Sequence, residues 1–176
     1  MATTYTLISS VTVGSGGAAS MAFTSIPATY TDLKVVLSTR SASGGAVARI
    51  LLMKINNLTT SIYSNKVLEG DGNSAYSFAG SGTNTAVRIG LTNDSSATAS
   101  VFSSVEIYIP NYTSSNNKSI SVDVVAENNA TTAYQELVAY LVATTDAITD
   151  LTFNPEAIGG NFAQYSTAYL YGISNA

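Results

Sequence analysis

The sequence predicts an all-β fold, an antiparallel β-sandwich of jelly-roll type, with a barrel as the other closed arrangement of the same strands. Three observations lead there. Apolar and polar residues alternate with period two in a series of short runs. Clusters of Gly, Ser, Asn and Pro separate the runs, as turn chemistry requires. The runs recur at the spacing expected of sandwiches and barrels, and no heptad, internal repeat or domain linker interrupts them.

The elements follow in order. Tyr5, Leu7, Val11 and Val13 are expected on one face of the first run, and Leu33, Val35 and Leu37 on one face of the second. Val47, Leu51, Met53 and Ile55 repeat the pattern, with Ile50 and Leu52 apolar on the other side, so this strand is expected to be central and covered on both faces. Val87, Ile89 and Leu91 make a short strand. Val105, Ile107 and Ile109 alternate with Glu106 and Tyr108, and Ile120, Val122 and Val124 alternate with Ser121 and Asp123. The loop "PNYTSSNNKS" joins these last two runs as an extended hairpin, and Pro110 ends the ladder before it. Residues 133–143, "AYQELVAYLVA", also fit helical spacing, with Tyr134, Leu137, Val138 and Leu141 on one stripe. No clear cap precedes them and Thr144 and Thr145 follow, so the segment is assigned as a strand. The last run places Tyr165, Tyr169, Tyr171 and Ile173 on one face. The predicted core is Leu33, Val35, Leu37, Leu51, Met53, Val105, Ile107, Ile120, Val122 and Val124.

Length and composition bound the function. The 176 residues suit a single domain, residues 1–176, with a core that needs no staples. Charged residues are only 10% of the chain, while Ser and Thr number 24 and 22. The net charge is −4 and the few Lys and Arg are scattered, so the electrostatic footprint of a nucleic-acid binder or a polybasic membrane patch is missing. No apolar run approaches the ~20 residues of a membrane-spanning helix, and "MATTYTLISSVTV" lacks the regions of a signal peptide. Cys, His and Trp are all absent. That excludes disulfides, thiolate or histidine metal sites, Ser-His-Asp triads and Cys-His pairs; no cofactor is expected.

Carboxylates are the general acid/base groups that remain. Glu69 and Asp71 share a Gly-rich turn, Asp146 and Asp150 flank another, and Glu106 and Asp123 come together if their strands pair. Acids in turns ordinarily cap backbone amides and acids on strands ordinarily face water, so no catalytic pair is assigned. "DGNS" at residues 71–74 offers oxygen ligands without the rest of a Ca²⁺ loop, and "GSGG" and "GSGTN" lack the lysine of a phosphate cradle. The five Asn-x-Ser/Thr matches, at Asn57, Asn93, Asn111, Asn117 and Asn129, are chance products of composition. For the tyrosine face of the last run, core or sheet-face packing ranks first, subunit contact second and sugar stacking third.

The stretch "FTSIPATYTDLKVV" at residues 23–36 is fully explicable as the lead-in to a strand: Ile26 before Pro27 must be extended, and Phe23 and Ile26 anchor the corner. Its pattern Phe-x-x-Ile-Pro-x-x-Tyr-x-Asp-Leu-x-Val, with "NLTTSIYSNKVLEGDGNS" and the ending "STAYLYGISNA", also resembles small β-rich virion proteins of tailed, cyanophage-like bacteriophages. The resemblance implies a capsid decoration, or cement, protein: a β-sandwich on the virion surface that staples neighbouring major capsid subunits, commonly as a homotrimer, with no enzymatic activity. The other reading it leaves open is a tail, baseplate or fibre module that meets the host surface, with glycans as one means of contact. On the decoration reading, the loops at residues 41–45 and 110–119 are expected to touch neighbours through Ser41, Ser43, Asn111 and Tyr112, with Tyr112 as the apolar anchor.

Overall fold

The computed structural model describes residues 4–80, 86–129, 133–155 and 160–174. Of the turn "GSGTN" only Gly80 falls within them, and the ending "STAYLYGISNA" is described up to Ser174. Twelve strands make up the described fold: β1 (Tyr5–Thr12), β2 (Met21–Phe23), β3 (Asp32–Thr39), β4 (Ala48–Ile55), β5 (Tyr63–Gly70), β6 (Ala75–Gly80), β7 (Val87–Asn93), β8 (Ser103–Ile109), β9 (Lys118–Ala126), β10 (Tyr134–Val142), β11 (Leu151–Pro155) and β12 (Thr167–Ile173). They form two antiparallel sheets packed as a sandwich. One has eight strands in the order β1-β12-β3-β8-β9-β10-β5-β6, and the other four in the order β2-β11-β4-β7.

Alternation dictates the core. All ten predicted core residues are buried, and they belong to one apolar cluster that both sheets share. β8 and β9 bury every second residue without exception, which is why their runs are so legible in the sequence. Residues 133–143 are extended, as expected: β10 pairs with β5 on one side and β9 on the other, so every ladder position has a backbone partner there.

The structure corrects four expectations about faces. A bulge between Leu7 and Ser9 flips β1, so Tyr5 and Leu7 point outward while Val11 and Val13 turn toward the core. Val47 lies before β4 in a left-handed conformation (φ 67°) rather than on its buried face. β4 is central, between β11 and β7, but Ile50 and Leu52 on its outer side are only half-buried. In β12 the inward residues are Ala168, Leu170 and Gly172, so Tyr169 and Tyr171 stand on the outer face of the sheet, and Tyr165 sits in the preceding turn.

The small inward residues of β12 make room for the lead-in motif. The Tyr30 ring lies directly over Gly172, so "SIPATYTD" and the "LYGI" ending are halves of one contact. Ile26 is buried, and its amide donates to Thr149 O at 2.9 Å. The Tyr112 hydroxyl donates to Pro27 O, and the Tyr30 amide donates back to that hydroxyl at 3.4 Å. Asp32, at the start of β3, accepts from Asn111 N at 2.7 Å and from the Tyr108 hydroxyl at 2.8 Å. The motif therefore ties three chain segments together at one end of the sandwich.

Candidate protein-contact surface

The four-stranded sheet covers one face of the eight-stranded sheet. On the other face, the described residues of β1, β12, β3, β8, β9, β10 and β5 carry an outward row of side chains that nothing in the described chain covers. Register fixes their order. One row reads Tyr169, Val36, Glu106, Asp123, Leu137, Leu68 and Ser77, from β12 to β6. The next reads Leu7, Tyr171, Lys34, Tyr108, Ser121, Ala139, Lys66 and Ala79.

Among the described residues, most of the large apolar side chains that are exposed lie on this face. Leu68 and Leu137 are cross-strand neighbours and remain 53% and 52% exposed; Leu7, Leu141, Val125, Tyr5, Tyr108 and Tyr169 are also exposed. Beside the two leucines the surface sinks into a shallow groove of about 650 Å³. Its floor is small, with Ser119, Ser121 and Ala139, and its walls are Tyr108 on one side and Lys66 and Leu68 on the other. Exposed apolar side chains gathered on one face, here on both sides of the Lys34, Glu106 and Asp123 charges, are the usual mark of a contact surface.

The charges on the face are few. Lys34 pairs with Glu106 at 2.7 Å, and this hydrogen bond holds the lysine above its ordinary pKa. Tyr108 is raised as well, chiefly because its hydroxyl donates to the Asp32 carboxylate. Asp123 stands directly across from Glu106 on the neighbouring strand, so the two acids do come together, but as outward residues of a flat ladder with Lys34 on one of them. Among the described residues, neither the Asp123 nor the Lys66 side chain has an ion-pair or hydrogen-bond partner.

The loop residues expected to touch neighbours are divided. Asn111 is exposed, in a left-handed turn (φ 48°) fastened by its amide to Asp32. Tyr112 is not an external anchor: its side chain is fully buried in the core, and burial raises its hydroxyl pKa. The same loop is closed by Lys118, a buried lysine whose ammonium donates to Ser114 O at 2.7 Å and Asn116 O at 2.5 Å. Ser41 is also inside, 1% exposed, with its amide on Asn93 O and its hydroxyl accepting from Ser43 N. Ser43 is half-buried, its carbonyl accepting from Ser95 N. The two loops lie beyond opposite ends of β3, roughly 25 Å apart at strand spacing, so they form no joint patch.

The remaining carboxylates sit where structure needs them. Asp71 accepts from the amides of Asn73 and Ser74, and those bonds lower its pKa. Asp146 and Asp150 accept from Thr144 and Thr149 hydroxyls. Glu69 meets Arg88 instead of Asp71, and Arg88 also pairs with Glu136, a fully buried acid on β10. This inner cluster was not expected from the sequence. Its one signal is Glu136 at an inward position of a run whose every other inward residue is apolar or aromatic. The exposed leucines have a clearer signal: residues 133–143 are apolar at both parities, so whichever face turns inward, large apolar groups remain outside.

Comparison with protein-family models, with curated proteins and with solved structures found no match for this chain.

Proposed function

We propose that this chain is a structural protein of a tailed-phage virion, a decoration protein that binds neighbouring major capsid subunits on the assembled head as a homo-oligomer and catalyses no reaction. The observation that carries this reading is the uncovered outer face of the eight-stranded sheet, with paired Leu68 and Leu137 on β5 and β10 and a mainly apolar groove beside them. Such a face favours burial against protein. The exposed Asn111 loop at one end and the half-buried Ser43 loop at the other are then free to meet the shell.

The strand order supports the same reading at the level of fold. We infer a jelly roll widened by one hairpin. The order β2-β11-β4-β7 is one half of the doubled Greek-key wrap; β3 and the run β10-β5-β6 are the other, with β8 and β9 inserted between them. Jelly rolls recur in viral capsid proteins, although fold by itself assigns no function.

The test is to mix purified protein with capsid shells that lack it. Saturable binding at many copies per particle, surviving roughly 0.5 M salt where exposed charges are screened, is the expected result. Binding to host cells with none to shells would replace this reading by a tail, baseplate or fibre module.

A further inference from the structure

We propose that the outer face of the eight-stranded sheet is covered by a second copy of this chain, in a two-fold, face-to-face dimer held by reciprocal Asp123–Lys66 ion pairs. The proposal rests on the reading of this face as a protein-contact surface and names its occupant. Three observations select a second copy over a foreign partner.

The first is charge. Asp123 and Lys66 are the two unpartnered charges of the face's central region, and they are opposite in sign. Register places them on a diagonal about the middle of β10. Asp123 is on β9 beside Leu137, and Lys66 is on β5 beside Ala139, two residues farther along. They are thus two strands and two residues apart, about 12 Å. A two-fold axis lying between the faces, perpendicular to that diagonal, sets each Asp123 against the Lys66 of the other copy. One rotation satisfies both charges twice, the self-complementarity that an isologous contact needs. A foreign partner would need its own acid and base at that spacing.

The second is apolar contact. The same rotation sets Leu68 and Leu137 of one copy against Leu68 and Leu137 of the other across the axis, with the Ser121 and Ala139 ground of each copy facing its counterpart beside them. The leucines that one chain leaves about half-exposed are thereby enclosed. The strands of the two faces cross steeply, within the range of orthogonal sheet packing.

The third is area. Five strands from β8 to β6, at ~4.8 Å spacing and about seven residues long, span roughly 600 Å² in projection, and side-chain relief brings this near the ~800 Å² per partner of a standard interface. A dimer of that size forms without any contribution from the sandwich-end loops. Two copies back to back would present those loops outward, as a clasp between adjacent capsid subunits.

Sedimentation of the full chain over a concentration series tests the proposal. The wild type should sediment as a dimer. Asp123→Lys and Lys66→Asp each replace two attractions by two repulsions, and each should weaken dimerisation at least about tenfold. The double variant D123K/K66D restores both pairs with the signs exchanged and should return to within about threefold of the wild type. Both substitutions are at outward positions, and Leu137→Ser, on the same face, should also dissociate the dimer. A wild type that stays monomeric up to about 0.5 mM overturns the proposal. So does a trimer, or a double variant as weak as the singles. The shell-binding assay reports separately. Binding by a monomeric wild type would leave the decoration reading standing without the dimer, and a rescued dimer that ignores shells would do the reverse.

Discussion

Gly172→Ala should destabilise the protein through one contact, and the contact can be isolated. A methyl group at position 172 would lie 2.3 Å from Tyr30 Cγ, 2.4 Å from Cδ2 and 2.5 Å from Cδ1, where ordinary contact begins near 3.4 Å. The φ of Gly172 is not in the left-handed region, so alanine introduces no backbone strain and the whole effect is steric. The ring must withdraw by about 1 Å to reach ordinary separation. It cannot withdraw freely, because the Tyr30 amide is bound to the Tyr112 hydroxyl, which is itself bound to Pro27 O. Overpacking of this kind costs about 1–3 kcal/mol, against a gain of at most about 1 kcal/mol from replacing a strand glycine. The net loss should appear as a fall of several degrees in Tm, at about 2–4 °C per kcal/mol for a chain of this size. Tyr30→Ala is costly by itself, but it empties the space. In that background Gly172→Ala should be neutral or slightly stabilising, giving a coupling of about 1–3 kcal/mol in the double-mutant cycle. A Gly172→Ala effect that is equal with and without the Tyr30 ring would refute the reasoning.

Four further outcomes follow from the same structure. Leu51→Ala, at a fully buried position of β4, should lose about 2–5 kcal/mol in urea unfolding with an unchanged m-value; a loss under 1 kcal/mol would mean that the site collapses or is not core. Tyr112→Phe should lower stability by about 1 kcal/mol and leave shell binding intact, since the hydroxyl serves Pro27 and Tyr30 inside the molecule; a selective loss of binding would return Tyr112 to the surface. Arg88→Met strands the buried Glu136 carboxylate and should cost about 3–5 kcal/mol, part of which Glu136→Gln recovers in the double variant; additivity of the two changes would argue against the pair. The Asp71 carboxyl has its folded pKa depressed by the Ser74 and Asn73 amides, so its contribution to stability is present above its unfolded value and disappears as pH falls through the folded one. An NMR titration should find it below an ordinary aspartate, and Asp71→Asn should remove that part of the acid dependence; an ordinary titration midpoint would contradict the turn geometry.

The strands that alternate cleanly between apolar and polar residues were legible because each has one wet face and one dry face. β8 and β9 are of this kind, and so is β3 from Leu33 to Leu37. Legibility fails where another force sets the face. β5 buries Asn65 and half-buries Glu69, which serve Arg88 O and the Arg88 side chain, so its alternation is masked by polar residues on the inside. β6 exposes every described side chain from Ala75 to Ala79 and shows no inward face to recognise. In β12 the tyrosines outweigh Ala168 and Gly172 in any hydrophobic reading, yet the small residues face in because Tyr30 occupies the volume above Gly172. Tyr112 shows the limit of composition: a tyrosine in a polar loop suggests a surface anchor, whereas its partners Pro27 and Tyr30 lie more than eighty residues away in sequence.

The β8–β9 hairpin enlarges the wide sheet by two strands, and the number matters. In a fully antiparallel sheet each strand reverses its neighbour, so an inserted pair leaves the direction of β3 relative to β10 as it was before, whereas a single strand would force one of them to run the wrong way. Sheet width in this architecture is therefore quantised in hairpins. The opposing layer has four strands against eight. The surplus breadth on the covered side needs long or aromatic side chains to seal it, and Tyr76 and Phe78 stand at that margin. Breadth on the far side is simply new surface. One hairpin thus widens the outer face by about 10 Å and alters only the connection that carries it, here the one from β7 to β10.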